Sequence, residues 1–293
     1  MLNGCIFLIS ARKNLLPICL KHLQENYNHD RYPILVFYHG TKYDDDSYRR
    51  KVRKMGNITF HHLKYELPSH ISETDLFYHK KDIPYVKKSF PPSRIGYLHA
   101  NYFWNNFMNH PALQKYEYLM RIDDDSWFKK PIKEDLFEEL VKSRELCASG
   151  YTWNHVHGRV LDTRVNFYKW VKDYVSLNGI TPKNSILQKS LEDGEHDIIE
   201  GRRCNLQFHH LEYLSGNCNI YNRKLFDDDR WRKYLEDFNR VAGGFRYRWG
   251  DCEVISIFCY LFHTPGDLLS FRLKERGLYD NKLPDAKFVH NGL

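Results

Sequence analysis

Apolar positions along the chain follow two periods. Nearly continuous runs at residues 5–10 and 34–38 predict strands buried on both faces, and the alternation at 58–63 predicts a third strand. Between them, residues 15–27 carry helical apolar spacing, and the polar stretch 44–54 also reads as a helix. Further along, 97–110 predicts an aromatic helix stopped at Pro111, and 116–122 a strand that runs into Asp123-Asp124-Asp125. The remaining pattern predicts helices over 132–145, 165–177, 225–241 and 252–262, with strands near 146–151 and 212–221. Such strand-helix alternation points to an α/β fold with a mixed, mostly parallel central sheet flanked by helices. Residues 64–94 break the rhythm with prolines, charges and tyrosines, and are longer than an ordinary connection, so a functional loop or lid is expected there. No repeat or linker interrupts the chain, which predicts a single domain over 1–293.

Composition narrows the classes. With 42% hydrophobic and 28% charged residues the chain is a folded globular protein, not a disordered or fibrous one. Lys and Arg outnumber Asp and Glu by 44 to 37, a net charge of +7 that favours an anionic ligand such as a phosphate. No basic block is dense enough to indicate a nucleic-acid partner. The longest apolar runs fall far short of the roughly 20 residues needed to cross a bilayer, and Met1-Leu2-Asn3-Gly4-Cys5 has no secretory signature. The expectation is therefore a soluble, cytoplasmic chain without a transmembrane segment. Seven scattered cysteines with no CxxC pair argue against a disulfide framework or a zinc knuckle. P-loop, GxGxxG, GxSxG and HExxH patterns are missing.

Three places carry candidate chemistry. Asp123-Asp124-Asp125 gathers mutually repelling carboxylates at the end of an apolar strand, where open α/β sheets bind ligands. If the chain stays extended there, Asp123 and Asp125 share one side and offer oxygen donors to Mg²⁺ or Mn²⁺; the alternative is a solvated acidic turn. Asp227-Asp228-Asp229 looks similar but lies ahead of a helical stretch, which makes it the negatively charged first turn of a helix. The second place is Gly243-Gly244-Phe245 through Trp249-Gly250-Asp251-Cys252-Glu253, where Asp251 is either a helix N-cap or a base for an attacking hydroxyl, with Glu253 its competitor. The third is His290, which follows the apolar pair Phe288-Val289. The pairs His61-His62 and His209-His210 are assigned to packing or to an acceptor cleft.

Tyr97-Leu98-His99 through Phe103, Tyr116-Glu117-Tyr118 through Asp125, Gly243-Gly244-Phe245 and Trp249-Gly250-Asp251 together resemble the fungal α-1,2-mannosyltransferases of glycosyltransferase family fifteen. The resemblance extends from about Cys5 to His290 and is weakest between Trp127 and Arg203. It implies a GT-A-like fold, a GDP-mannose donor, Mn²⁺ (or Mg²⁺), a glycan or glycoprotein acceptor, and retention of anomeric configuration. Asp123 stands where the family has a glutamate, Asp125 is the second acidic residue, and His290 matches the family's metal-binding histidine. Arg12, Arg121, Tyr97 and Asp123 are the residues the resemblance assigns to the donor, and Asp251 or Glu253 faces the acceptor. Two departures stand out. Asn219, in Asn217-Cys218-Asn219-Ile220, replaces the glutamate proposed as nucleophile, and an amide cannot take that role, which leaves front-face retention and direct inversion open. No counterpart of the Golgi enzymes' membrane anchor is recognised, and the expectation that follows is another compartment or another organism. Competing expectations are a transferase for another GDP- or UDP-sugar, a nucleotidyltransferase, and a catalytically inactive glycan-binding relative.

Overall fold

The computed structural model describes residues 2–28, 30–77, 95–149, 152–153, 166–192, 211, 213–214, 216–264, 268–272 and 288–290, with 152–153, 268–272 and 288–290 as backbone. Strands β1 (Gly4–Ser10), β2 (Ile34–Tyr38) and β3 (Ile58–His62) run parallel in that order, and β4 (Tyr118–Ile122) joins β1 on its other side, also parallel. β5 (Ser126–Phe128) lies outside this sheet. Then follow β6 (Cys147–Ser149), the pair β7 (Thr152–Trp153) and β8 (Tyr213–Leu214), β9 (Cys218–Asn222), β10 (Leu268–Arg272) and β11 (Phe288–His290). The main sheet has seven strands in the order β10-β6-β9-β4-β1-β2-β3, with β9 antiparallel to both neighbours. The mixed, mostly parallel α/β sheet expected from the sequence is thus present. β10 carries no signal in the hydrophobic pattern, and the stretch 212–221 splits into β8 and β9.

Continuous apolar strands are buried on both faces, as a parallel sheet with helical covers requires. Cys5, Phe7, Leu35, Phe37, Leu119 and Tyr221 enter one core, and Ile6, Leu8, Ile34, Val36, Met120 and Ile220 enter the other. The second core is closed by α1 (Leu16–Leu23), α2 (Asp46–Arg53) and α4 (Leu136–Ser143), through residues such as Leu20, Val52 and Phe137. The first is closed by α3 (Ile95–Asn106), α5 (Phe167–Leu177), α6 (Ser185–Glu192), α7 (Asp229–Val241) and α8 (Asp251–Phe262).

Side-chain caps explain several helix starts. Asp45 accepts from Ser47 N and Tyr48 N at 2.9 and 3.2 Å, and Asp135 accepts from Phe137 N and Glu138 N at 3.0 and 3.4 Å. Asp228 caps α7 through Arg230 N at 2.8 Å, so the triplet 227–229 is a helix start, as its position predicts. The helix expected over 15–27 ends sooner: α1 stops at Leu23 and a π turn covers Gln24–Asn28. Helix α6 lies in a stretch too polar to show one; Asn184 stabilises its first turn by accepting from Leu187 N at 2.9 Å, and Leu187 and Leu191 anchor it. Of the expected loop 64–94, only residues up to 77 are described, and they are irregular apart from the 3₁₀ turn Glu73–Asp75. The His209-His210 pair lies outside the described residues.

Candidate active site

The carboxyl ends of β1 and β4 are neighbours, and the acidic triplet leaves β4 there. It is a turn, not an extended segment: Ser126 N donates to Asp123 O at 3.0 Å and the chain reverses into β5. That geometry corrects the expectation that Asp123 and Asp125 share one side of a strand. Instead Asp123 turns to Arg121, whereas Asp124 and Asp125 both turn to Arg12. Asp123 is one-quarter exposed and lies 3.4 Å from Arg121 Nη2. Asp124 is buried and accepts from Ser10 Oγ at 2.8 Å, Arg12 Nε at 2.8 Å, Arg12 N at 3.3 Å and Arg12 Nη2. Asp125, also buried, accepts from Arg12 Nη1 at 2.5 Å.

Each side of the turn has its own supporting set. On the β1 side, Tyr43 OH pairs with Ser10 Oγ at 2.6 Å behind Asp124. Burial works against the charge on Arg12, yet Asp124 and Asp125 outweigh it and raise its pKa. Cys19 lies beneath the turn, 3.8 Å from Asp123 O, and burial followed by the charges of Asp124, Asp125 and Asp123 pushes its thiol pKa up. On the opposite face of the sheet, Arg121 is buried and pairs with Asp251 while its guanidinium lies 3.7 Å from the ring centre of Trp104. Burial again opposes the charge, and Asp251 and Asp123 raise the Arg121 pKa regardless.

Asp251 reaches this pair because it occupies the first position of α8, after Gly250 as N-cap, so the cap role considered for it falls to the glycine. Glu253 is buried in the same first turn and folds back over it: its Oε2 would lie 2.5 Å from a Cβ at Gly250. Both carboxylates sit where the helix dipole favours negative charge. Gly216 completes the enclosure, since a Cβ there would be 2.9 Å from Cys252 Sγ and 3.0 Å from Arg121 Nη2. Asn219, directly across from Arg121 in the β4–β9 ladder, is buried; its Nδ2 donates to Tyr221 OH at 2.9 Å and its Oδ1 has no hydrogen-bond partner. Tyr97, on α3, is partly exposed with the Arg248 guanidinium 4.4 Å from its ring centre.

The ladder between β5 and β11 places the backbone of His290 opposite Ser126, one residue beyond Asp125. Asp123, Asp125 and His290 are therefore neighbours along the chain path, although among the described residues no three His, Cys, Asp or Glu side chains form a ready metal cluster. The donor set suits a hard divalent ion: two carboxylates with one strand carrying an imidazole. Sequence reasoning missed Ser10, Trp104 and Gly216, which lie against charged residues distant in the chain, and Tyr43, which backs Ser10. Ser10, last in its apolar run, was the one with a visible signal. His61 and His62 lie at the end of β3, where His61 packs 5.2 Å from Phe37 and His62 5.2 Å from Tyr38 between ring centres, in line with packing.

A family profile described as glycolipid 2-alpha-mannosyltransferase matches residues 2–275. Among curated relatives, the Saccharomyces cerevisiae protein named Probable mannosyltransferase KTR3 is 24% identical over 270 residues, which cover 86% of this chain and 60% of that protein. The Schizosaccharomyces pombe protein named O-glycoside alpha-1,2-mannosyltransferase omh1 is 21% identical over 250 residues, 83% of this chain and 60% of its own length. The chain thus spans about three-fifths of the length of these relatives. Two solved structures share the fold. The mannosyltransferase Ktr4p from S. cerevisiae in complex with GDP has a TM-score of 0.73 at 18% identity, covering 91% of this chain and 68% of that one. Core-mannan synthase A from Aspergillus fumigatus, in a Mn/GDP form, has a TM-score of 0.70 at 18% identity over 89% and 70%. Among the described residues no helix is long and apolar enough to cross a membrane.

Proposed function

The chain belongs to the glycolipid 2-alpha-mannosyltransferase family, and from that premise we propose that it is a metal-dependent glycosyltransferase. It would move a sugar, mannose from GDP-mannose being the best candidate, from a nucleoside diphosphate to a glycan hydroxyl. The chain is read as one GT-A-like domain, because a single sheet runs from Gly4 to Arg272. The observation that carries the reading is the Asp123–Ser126 turn, which sits between Arg12 on one side and the Arg121–Asp251 pair on the other. The names of relatives crystallised with GDP and with Mn/GDP support the choice of nucleotide and ion.

Asp123 and Asp125, with His290, would hold the divalent ion. That ion supplies a positive charge where the diphosphate leaving group becomes negative. Arg12 lies beside the same carboxylates and offers guanidinium donors to phosphate oxygens. Arg121 fixes Asp123 and Asp251 relative to one another, so the donor side and the acceptor side of the cleft are set by one buried cation. Asp251, as the carboxylate of that pair, takes the acceptor's hydroxyl proton, with Glu253 two residues further along as the second candidate. Asn219 provides no nucleophilic carboxylate; its amide is left to hydrogen bonding and no covalent glycosyl intermediate forms on it.

The test is a product assay with GDP- and UDP-sugars, Mn²⁺ and a mannoside acceptor. Release of nucleoside diphosphate, reduced about a hundredfold or more in Asp125→Ala with its circular dichroism unchanged, is the expected outcome. Released pyrophosphate would mean nucleotidyl transfer, and undiminished metal-dependent turnover in Asp125→Ala would end the proposal.

A further inference from the structure

We propose that Arg12 is an internal counter-ion for the metal site: its guanidinium occupies Asp125 in place of the divalent cation and must leave that carboxylate before the ion binds. This role rests on Asp125 being a metal ligand, as argued above.

The two buried carboxylates that Arg12 touches are held in different ways. Asp124 is fixed from the sheet, by Ser10 Oγ at 2.8 Å and by the backbone N of Arg12 itself at 3.3 Å. It also takes Arg12 Nε at 2.8 Å and Arg12 Nη2, so the plane of the guanidinium is anchored there. Asp125 accepts from the remaining nitrogen, Nη1, at 2.5 Å, and the arginine side chain is 39% exposed. With Nε and Nη2 both on Asp124, the planar group parts from Asp125 by rotation of the Asp125 carboxylate away from Nη1. A guanidinium and a divalent ion on one carboxylate repel each other at such separations. The arginine thus neutralises the acidic turn in the metal-free protein and weakens its affinity for the ion.

Displacement has a second consequence. An anchored guanidinium released from Asp125 has donors to spare beside the bound ion, which is where a diphosphate would lie. Metal binding would then prepare the phosphate contact, and linkage requires that diphosphate binding tighten the metal by the same factor.

Isothermal titration calorimetry of Mn²⁺, with and without GDP, tests both statements. Without GDP, Arg12→Gln is expected to bind Mn²⁺ about tenfold or more tightly than the wild-type chain, and Arg12→Lys, which keeps the charge, to stay within about threefold of it. GDP should tighten Mn²⁺ binding by a larger factor in the wild type than in Arg12→Gln. Arg12→Met, which keeps the aliphatic stem, serves if the glutamine variant does not fold. Equal or weaker Mn²⁺ binding in the charge-free variants overturns the counter-ion role. Asp125→Asn separates the premise from the inference: if it binds Mn²⁺ as well as the wild type, the metal assignment fails and takes this role with it. If it loses Mn²⁺ while Arg12→Gln is unchanged, only the role of Arg12 fails.

Discussion

Arg121 and Arg12 define the cleft at the level of single residues, because each gathers carboxylates that sequence spacing alone does not bring together. Arg121 is buried with Asp251 130 positions away, and a buried ion pair broken on one side leaves an unpaired charge. Asp251→Ala should therefore cost about 3–5 kcal/mol of stability in urea denaturation, well beyond a surface substitution. A cost below about 1 kcal/mol would show that the pair is not what holds Arg121. Of the residues the sequence singles out, Asp123, Asp125, Arg12, Arg121, Asp251 and the backbone of His290 come together around the carboxyl ends of the interior strands β1 and β4. Their partners were not legible. That Asp124 is the most enclosed of the triplet depends on Ser10 and Arg12, and these arrive through the β1–β4 pairing.

Among the elements, the segment from α7 to α8 shows how packing turns a glycine pair into two unequal positions. A Cβ on Gly243 would fall inside the ring of Trp249, whereas one on Gly244 would meet the Phe238 ring at 3.5 Å and Trp249 O at 3.8 Å, both ordinary contacts. Gly243→Ala is expected to destabilise by about 3 kcal/mol or more, through forced displacement of a fully buried tryptophan. Gly244→Ala should be neutral or stabilising by up to about 1 kcal/mol, since it lowers the entropy of the unfolded chain. Thermal melts of the two variants decide the matter, and similar losses in both would refute the contrast. The long apolar strands and capped helices were readable because their period and their Asp caps are local signals. Helix α6 and strand β10 were not, because what stabilises them is contact with the rest of the fold: Leu187 and Leu191 dock on the main core, and β10 pairs with β6.

Across the whole molecule, the histidines at the rim of the sheet couple stability to pH. His99 of α3 is buried, its ring stacked 4.6 Å from Tyr65, which in turn stacks 4.0 Å from His39; Phe245 closes the other side at 5.4 Å. Burial, with a smaller contribution from His39, pushes the His99 pKa down to about 4, while burial pushes the Tyr65 hydroxyl up to about 12. A depressed histidine pKa means that the unfolded chain binds the proton first. The contribution is fully present above about pH 6.5 and is lost as pH falls through 4, by about 3 kcal/mol in all. Urea melts between pH 7 and 4 should show that decline, and His99→Phe should flatten it; an equal slope in the variant would refute the assignment. From the sequence alone came the α/β class, the identity of most strands and helices, the family and the acidic triplet, because periodicity, caps and motif order are written in neighbouring positions. Only the tertiary structure decided that the triplet is a turn sending Asp123 to Arg121 and both Asp124 and Asp125 to Arg12, and that Gly250 caps α8 so that Asp251 pairs with Arg121. Those outcomes depend on which strand ends lie side by side, and strand order is set by the burial of two cores on opposite faces of one sheet, a property no local stretch of chain contains.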